Sequence, residues 1–467
     1  MQKHPEPELP VPKTIMKDVA EIIKEVGANN EPLPAACPVC DQLARGQLIP
    51  VAALTDDLRA LINSNTAGVN EVCQRCVELF SRARHQTESH AAVFEQHDFV
   101  LPTPLRMDAD ETLTGKGVTI AFLDSGFYVH PDLTTPHNRI LAYHSIFAAE
   151  GDRTSLETSD VASWHGMMTS VVAAGSGALS DGFYRGIASD ADLVLVKIGR
   201  TGRISEEQIR RGLEWVLSHH AEYRIRVVNI SAGGDFEESY LTNPLSQTVE
   251  RCVSEGLTVV CAVGNAGHEP GHPVLPPASA PSSIAVGGLD DQNSLDRARR
   301  GMYRSSYGPT IDGLQKPEVI APGIWVAAPI LPHTPTADEA ELYAQLDEAD
   351  DGELRAIIED HSGVDKDLYE ARSLRAHLLR QLITIKLREG NVINQHYKYV
   401  DGTSFAAPIV SSIIACMLEA NPALNPQQIK RALIDTAERV PGIEVERQGW
   451  GVVSARRALE RVTTLKK

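Results

Sequence analysis

Ser404 stands in the segment Asp401-Gly402-Thr403-Ser404-Phe405-Ala406-Ala407-Pro408, a serine at the start of an apolar run with helical spacing through Ile409, Val410, Ile413 and Ile414. A hydroxyl there suits nucleophilic chemistry, because unpaired N–H groups give a helix N-terminus a partial positive charge beside any anion formed in acyl transfer. Gly402 permits a tight turn, Thr403-Ser404 are expected to cap the helix, and Pro408 is expected in its first turn, where a missing N–H costs little. The plainer reading of this segment alone is a capped core helix.

A serine hydroxyl is a poor nucleophile until a base takes its proton and a carboxylate orients that base. Val118-Thr119-Ile120-Ala121-Phe122-Leu123 is a continuous apolar run that predicts a strand buried on both faces, ending at Asp124-Ser125-Gly126. In an open α/β sheet that end of a strand faces the ligand crevice. Trp164-His165-Gly166-Met167-Met168 to Gly175 predicts a closely packed, small-residue helix with His165 near its beginning; a capping or core histidine is the competing reading. Thr258 to Val263 predicts another buried strand, running into the Gly-flanked Asn265. Its amide could face an oxyanion, although such clusters are ordinarily turns.

Together these segments resemble the subtilisin-like serine proteases (subtilases), in which the triad follows the chain order Asp, His, Ser. Further matching stretches are His130-Pro131-Asp132-Leu133, Asn229-Ile230-Ser231-Ala232-Gly233-Gly234, Pro276-Pro277-Ala278, Lys316-Pro317-Glu318 to Pro322-Gly323 and Gly449-Trp450-Gly451-Val452-Val453. The resemblance runs from about Leu101 to Leu459 and implies an α/β fold, a doubly wound, mostly parallel sheet flanked by helices. It implies that Ser404 attacks the scissile carbonyl, His165 moves the proton, Asp124 holds the imidazole, and Asn265 with the Ser404 N–H binds the oxyanion. Ser231, Ala232, Gly233 and Gly234 would wall the substrate cleft. No acidic residue there marks a pocket for Lys or Arg, so an apolar or uncharged P1 side chain is expected. Met167-Met168, where the family more usually has Thr-His, and Ser125, where Thr is common, depart from the pattern without touching a reacting atom. Many subtilases also bind Ca²⁺ through loop carboxylates and carbonyls; no ligand is assigned here.

The chain has 467 residues, 42% hydrophobic and 23% charged, enough for a large α/β domain plus an accessory one without disulfide staples. A net charge of -18 argues against nucleic acid or an anionic membrane as partner. The polar start, Met1 to Pro7, does not read as a signal peptide, and Ile15, Val19, Ile22, Ile23 and Val26 are spaced as an amphipathic helix, so a cytoplasmic location is expected. Cys252, Cys261 and Cys416 lie singly in apolar contexts and read as small buried hydrophobes.

Residues 1–96 read as a small, mainly helical domain and linker, and 97–467 as the protease domain. Cys37-Pro38-Val39-Cys40 and Cys73-Gln74-Arg75-Cys76 could supply the four sulfurs of a structural Zn²⁺ site; redox or disulfide chemistry is the alternative. Leu54, Leu58, Leu61 and Ile62 between them have helical spacing. No propeptide is recognisable, and this region is expected to restrain the protease or to recruit a regulatory protein partner, against a plain reading in which it buttresses the core.

Residues 330–396 form an insertion that the family pattern does not require. Its first half is acidic, and its second reads as an amphipathic helix through Leu368, Ala371, Leu374, Leu378, Leu382 and Ile385, either a docking surface or a solvated excursion. The sequence therefore reads as an intracellular serine endopeptidase. The alternative from another class is a catalytically silent subtilase scaffold that binds a partner. A zinc-dependent nucleic-acid adaptor ranks behind both.

Overall fold

Strands that are apolar on both faces make the centre of the computed structural model, which describes residues 37–39, 47–66, 68–74, 76–78, 80–81, 100–147, 153–200 and 204–464. The chain divides into two compact units, Met1–Gln86 and Thr87–Lys467. The expected helix around Ile15 to Val26, Cys40 and nearly all of the Ser81–Gln96 linker lie outside the described residues.

In the larger unit the strands are β1 (Thr119–Asp124), β2 (Ile140–Ser145), β3 (Asp192–Lys197), β4 (Ile225–Ile230), β5 (Thr258–Ala262), β6 (Ile284–Asp290) and β7 (Val319–Pro322). They lie in the order β7-β6-β5-β4-β1-β3-β2, all parallel, and a short strand, Gly301–Met302, adds antiparallel to β6. On β1, Ile120 and Phe122 face one side of the sheet while Ala121 and Leu123 face the other; on β3, Leu193 and Leu195 oppose Val194 and Val196. Both faces are covered, which is why these strands read as unbroken apolar runs rather than as alternating ones.

One face carries α1 (Ser163–Ala174) and the other α2 (Glu206–His219) and α3 (Pro244–Ser254). The insertion holds α4 (Pro335–Glu348), α5 (Leu354–Asp360), α6 (Lys366–Ala371) and α7 (Ala376–Glu389), followed by α8 (Thr403–Ala420), α9 (Pro426–Thr436) and α10 (Ala455–Thr464). Helices α8, α9 and α10 join α1 on its face of the sheet. The 18 residues of α8 are long and apolar enough to cross a membrane, but 83% of them are buried inside the protein, as befits a core helix.

The insertion departs from its sequence reading. Its second half is not one helix: α6 ends at Ala371 and α7 starts at Ala376. Of the residues picked out by spacing, Leu368 is buried and Ala371 and Leu382 pack against the same core, whereas Leu374, Leu378 and Ile385 are exposed at 48%, 39% and 49%; the fully buried side chains of α7 include Leu379, Ile383 and Leu387. The acidic half is helical as well, packing Leu342, Tyr343, Leu346, Leu354 and Ile358 into the same small core. The subdomain leaves and returns through an antiparallel ladder of β8 (Val326–Pro329) and β9 (Tyr397–Val400), with Pro329 opposite Tyr397. Trp325 packs against Tyr399 with the rings tilted by 35° and their centroids 4.5 Å apart, and the Tyr397 hydroxyl donates to Asp132 at 2.7 Å.

In the smaller unit, Ile49–Pro50 pairs antiparallel with Glu71–Val72, and a helix spans Asp56–Asn65. Leu58 and Ile62 of that helix are buried, as are Leu54, Val72, Val77 and Phe80.

Candidate active site

Asp124 ends β1, in the middle of the parallel sheet and beside the point where strand order reverses between β3 and β4. Its carboxylate is 2% exposed and meets His165 Nδ1, on the first turn of α1, at 2.8 Å through Oδ1 and 3.0 Å through Oδ2. The Ser125 N–H donates to Asp124 Oδ1 at 2.7 Å and the Thr169 hydroxyl to Oδ2 at 3.2 Å. Burial pulls the His165 imidazole down, but the adjacent Asp124 charge and their hydrogen bond outweigh it, so its pKa rises above the usual histidine value. The pair is close because Gly166 lets α1 settle on the end of β1. A Cβ added there would lie 2.1 Å from the Gly126 carbonyl oxygen and 2.9 Å from the Asp124 Cβ.

Ser404 lies one residue into α8. Capping differs from expectation. The N-cap is Gly402, in a backbone conformation (φ 141°, ψ 153°) that suits glycine and with no side chain of its own to cap the helix. The Thr403 hydroxyl and N–H instead donate to Asn265 Oδ1, both at 3.0 Å. With its oxygen held this way, the exposed Asn265 amide has its NH₂ left to donate. Gly264, at φ 106°, makes the turn that brings it there.

Pro408 is also not in the first turn but inside the helix, the sixth residue of α8. It removes the N–H that would bond the Ser404 carbonyl, four residues earlier. The Ser231 hydroxyl replaces that donor at 2.8 Å. Asn229 Nδ2 donates in turn to Ser231 Oγ at 3.1 Å, and the Ser411 hydroxyl to Asn229 Oδ1 at 3.0 Å. A buried polar chain thus ties the end of β4 to the serine-bearing helix.

The Ser404 hydroxyl donates to the Ser231 carbonyl at 3.5 Å, a long bond, and has no hydrogen bond to the imidazole in this rotamer. His165 is nonetheless at the same helix start, its ring 5.8 Å from that of Phe405 and edge-on to Trp164 at 5.2 Å. Beyond Ser231 and Ala232, a Cβ on Gly233 would meet open space. One on Gly234 would strike Glu206 Oε1 at 2.4 Å. The Glu206 oxygens are occupied, accepting from the Asp235 N–H at 3.2 Å and from Asn243 Nδ2 at 2.8 Å.

The structure therefore brings together Asp124 with His165, and Asn265 with the Ser404 turn and the Ser231 wall. Sequence reasoning missed the supporting Thr403, Thr169 and Ser231 hydroxyl contacts; the threonine beside Ser404 was visible, but its partner lies 138 positions away in sequence. In the smaller unit Cys37, Cys73 and Cys76 gather, all buried.

Comparison with known proteins agrees with this architecture. The profile of the subtilase family matches residues 115–451. The serine protease AprX of Bacillus subtilis (strain 168) is 29% identical over 353 residues, covering 74% of this chain and 66% of that protein. Subtilisin BL of Lederbergia lenta is 32% identical over 214 residues, 45% of this chain and 66% of its own length. The chain thus spans just under two thirds of each. Fervidolysin from Fervidobacterium pennivorans, a keratinolytic enzyme related to subtilisin, shares the fold, with a TM-score of 0.51 at 20% identity over 77% of this chain and 45% of that one. On a parallel sheet with these residues at its carboxyl rim, and a family match spanning most of its length, this chain belongs to the subtilase family.

Proposed function

We propose that this protein is a serine endopeptidase that hydrolyses peptide bonds through Ser404, His165 and Asp124. The observation that carries the reading is the buried Asp124 carboxylate on His165 Nδ1 at 2.8 Å. It fixes the tautomer whose Nε2 accepts a proton and stabilises the imidazolium that follows.

In this reading His165 takes the Ser404 proton as the hydroxyl attacks the scissile carbonyl, and the negative oxygen is met by Asn265 Nδ2 and the Ser404 N–H. His165 then protonates the leaving amine, and water attacks the acyl-enzyme by the reverse route. The long Ser404 to Ser231 bond favours the second reading, a silent binding scaffold. Catalytic hydrogen bonds are, however, often long without substrate and tighten on binding. Retention of all four groups supports the enzyme.

For P1 the proposal is an apolar or uncharged side chain, since Gly233 opens the wall and the carboxylate of Glu206 is already engaged. Single thiols buried in the core, Cys252, Cys261 and Cys416, support an intracellular, reducing setting. A regulatory partner on residues 330–396 is part of the same reading, because the β8–β9 ladder leads straight into Asp401 and Ser404.

The test is covalent labelling by a fluorophosphonate. Labelling of the wild type that is lost in Ser404→Ala supports the peptidase; an unlabelled wild type that binds polypeptide supports the scaffold. Equal labelling of both proteins refutes the assignment of Ser404.

A further inference from the structure

The three described thiols of the smaller unit come from two distant stretches of chain, yet their sulfurs all lie within 4.8 Å of one another. Cys37 itself lies outside helix and strand, Cys73 comes directly after the strand Glu71–Val72, and Cys76 belongs to the helical stretch that follows. The Cys37 and Cys76 sulfurs are 3.9 Å apart. A disulfide would require about 2.05 Å. The edge of a tetrahedron of sulfurs around zinc, from bonds of about 2.3 Å, is about 3.8 Å. The spacing is therefore that of ligands sharing one ion rather than of a cross-link waiting to form.

Two further observations bear on charge. The Cys73 N–H donates to Cys37 Sγ at 3.2 Å, an interaction that favours the thiolate over the thiol. All three residues are nearly shut off from solvent, at 0%, 6% and 0% exposure. Thiolates buried so close together would repel one another and lose hydration, and a divalent cation between them removes both costs. Among the described residues the unit buries Ile49, Val51, Leu58, Ile62, Val72, Val77 and Phe80, a small core of the kind that a metal cross-link commonly reinforces.

We propose that Cys37, Cys73 and Cys76 hold one structural Zn²⁺ ion as thiolates. Cys40, the other cysteine of the Cys37-Pro38-Val39-Cys40 pair, lies outside the described residues, and the proposal rests on the three sulfurs that gather. An ion held by buried thiolates from two distant stretches cross-links the chain, the role of structural zinc.

The inference is independent of the peptidase reading, and its test can be run on full-length protein carrying Ser404→Ala, which also prevents self-digestion. Purified with reductant and without chelator, the chain should contain one zinc per molecule by elemental analysis. Replacement by Co²⁺ should give the intense thiolate-to-metal absorption of a tetrahedral sulfur site. Cys73→Ser and Cys76→Ser should each lower retained zinc at least about tenfold. Chelation should open Cys37, Cys73 and Cys76 to alkylation while Cys252 and Cys261, buried in the larger unit, stay protected. A chain that arrives without zinc, takes up none from added Zn²⁺ and gives no cobalt–thiolate band refutes the site, as does zinc retained by both serine variants. Should the variants fail to fold, the cobalt spectrum of the chain with all its cysteines decides the matter.

Discussion

Replacing Gly166 by alanine should damage catalysis without touching a reacting atom. The new methyl would sit 2.1 Å from the Gly126 carbonyl oxygen, with Asp124 Cβ and Phe127 Cε1 each at 2.9 Å. Ordinary contact begins near 3.4 Å, so α1 and the turn after β1 must separate by 3.4 − 2.1, about 1.3 Å. Neither side gives easily, since the obstacle is backbone and both segments are buried. The first bond to suffer is that between His165 Nδ1 and Asp124, now 2.8 to 3.0 Å, because the two residues stand on opposite sides of the wedge. A misplacement of about 1 Å in a catalytic group costs about 10²-fold in rate. Overpacking costs about 1–3 kcal/mol of stability. Gly166→Ala should therefore lose about 10²-fold in kcat/KM on a fluorogenic peptide, with KM changing less than kcat and near-UV circular dichroism still native. Gly363→Ala, where an added Cβ meets nothing within 4 Å, is the control and should be silent. Wild-type kcat in folded Gly166→Ala would refute the claim that glycine is needed there to bring imidazole and carboxylate together.

Other expectations concern the same rim and its support. If Asn265 donates to the oxyanion as proposed, Asn265→Ala should lower kcat by about 10²–10³, the loss on removing one oxyanion-hole donor, with little change in KM, as read by steady-state kinetics. Because the pKa of His165 is raised and its neutral form is the base, kcat/KM should climb with pH through a value above that of an ordinary histidine. Asp124→Asn should shift that acid limb downward, since burial then acts unopposed, and should lower the plateau by about 10⁴; an unmoved limb would assign it to another group. Arg106 is buried against Asp291, with bonds of 2.7 and 2.8 Å, and also donates to the Ile324 and Trp325 carbonyls just before β8. Arg106→Ala strands that carboxylate and should cost about 3–5 kcal/mol in chemical denaturation.

What could be read from the sequence was local and periodic. The strand ending at Asp124 is visible because burial on both faces leaves an unbroken apolar run, and Ser404 because its helix is apolar over many turns. Positions whose role depends on a distant partner were not legible in the same way. Thr403 and Ser404 look like caps by type, yet Asn265 claims the threonine, and no spacing rule reports a contact across 138 positions. Pro408 was misplaced because sequence alone does not say where a helix begins; Gly402 moves the start upstream and leaves the proline inside. In α7 the periodicity was real but its phase was wrong. A helix with leucines on two sides does not declare which side its neighbours will cover, and α4 and α6 decide that.

The narrow β8–β9 ladder carries a last implication, for the evolution and engineering of the chain. Because Pro329 and Tyr397 face one another, everything between them is a detour that begins and ends at one place. Excising it and closing the gap with a tight hairpin turn would leave the approach to Ser404 in its present register. The helical module can therefore be removed or replaced at one junction without moving the strand that ends at Asp124 or the helix that carries Ser404.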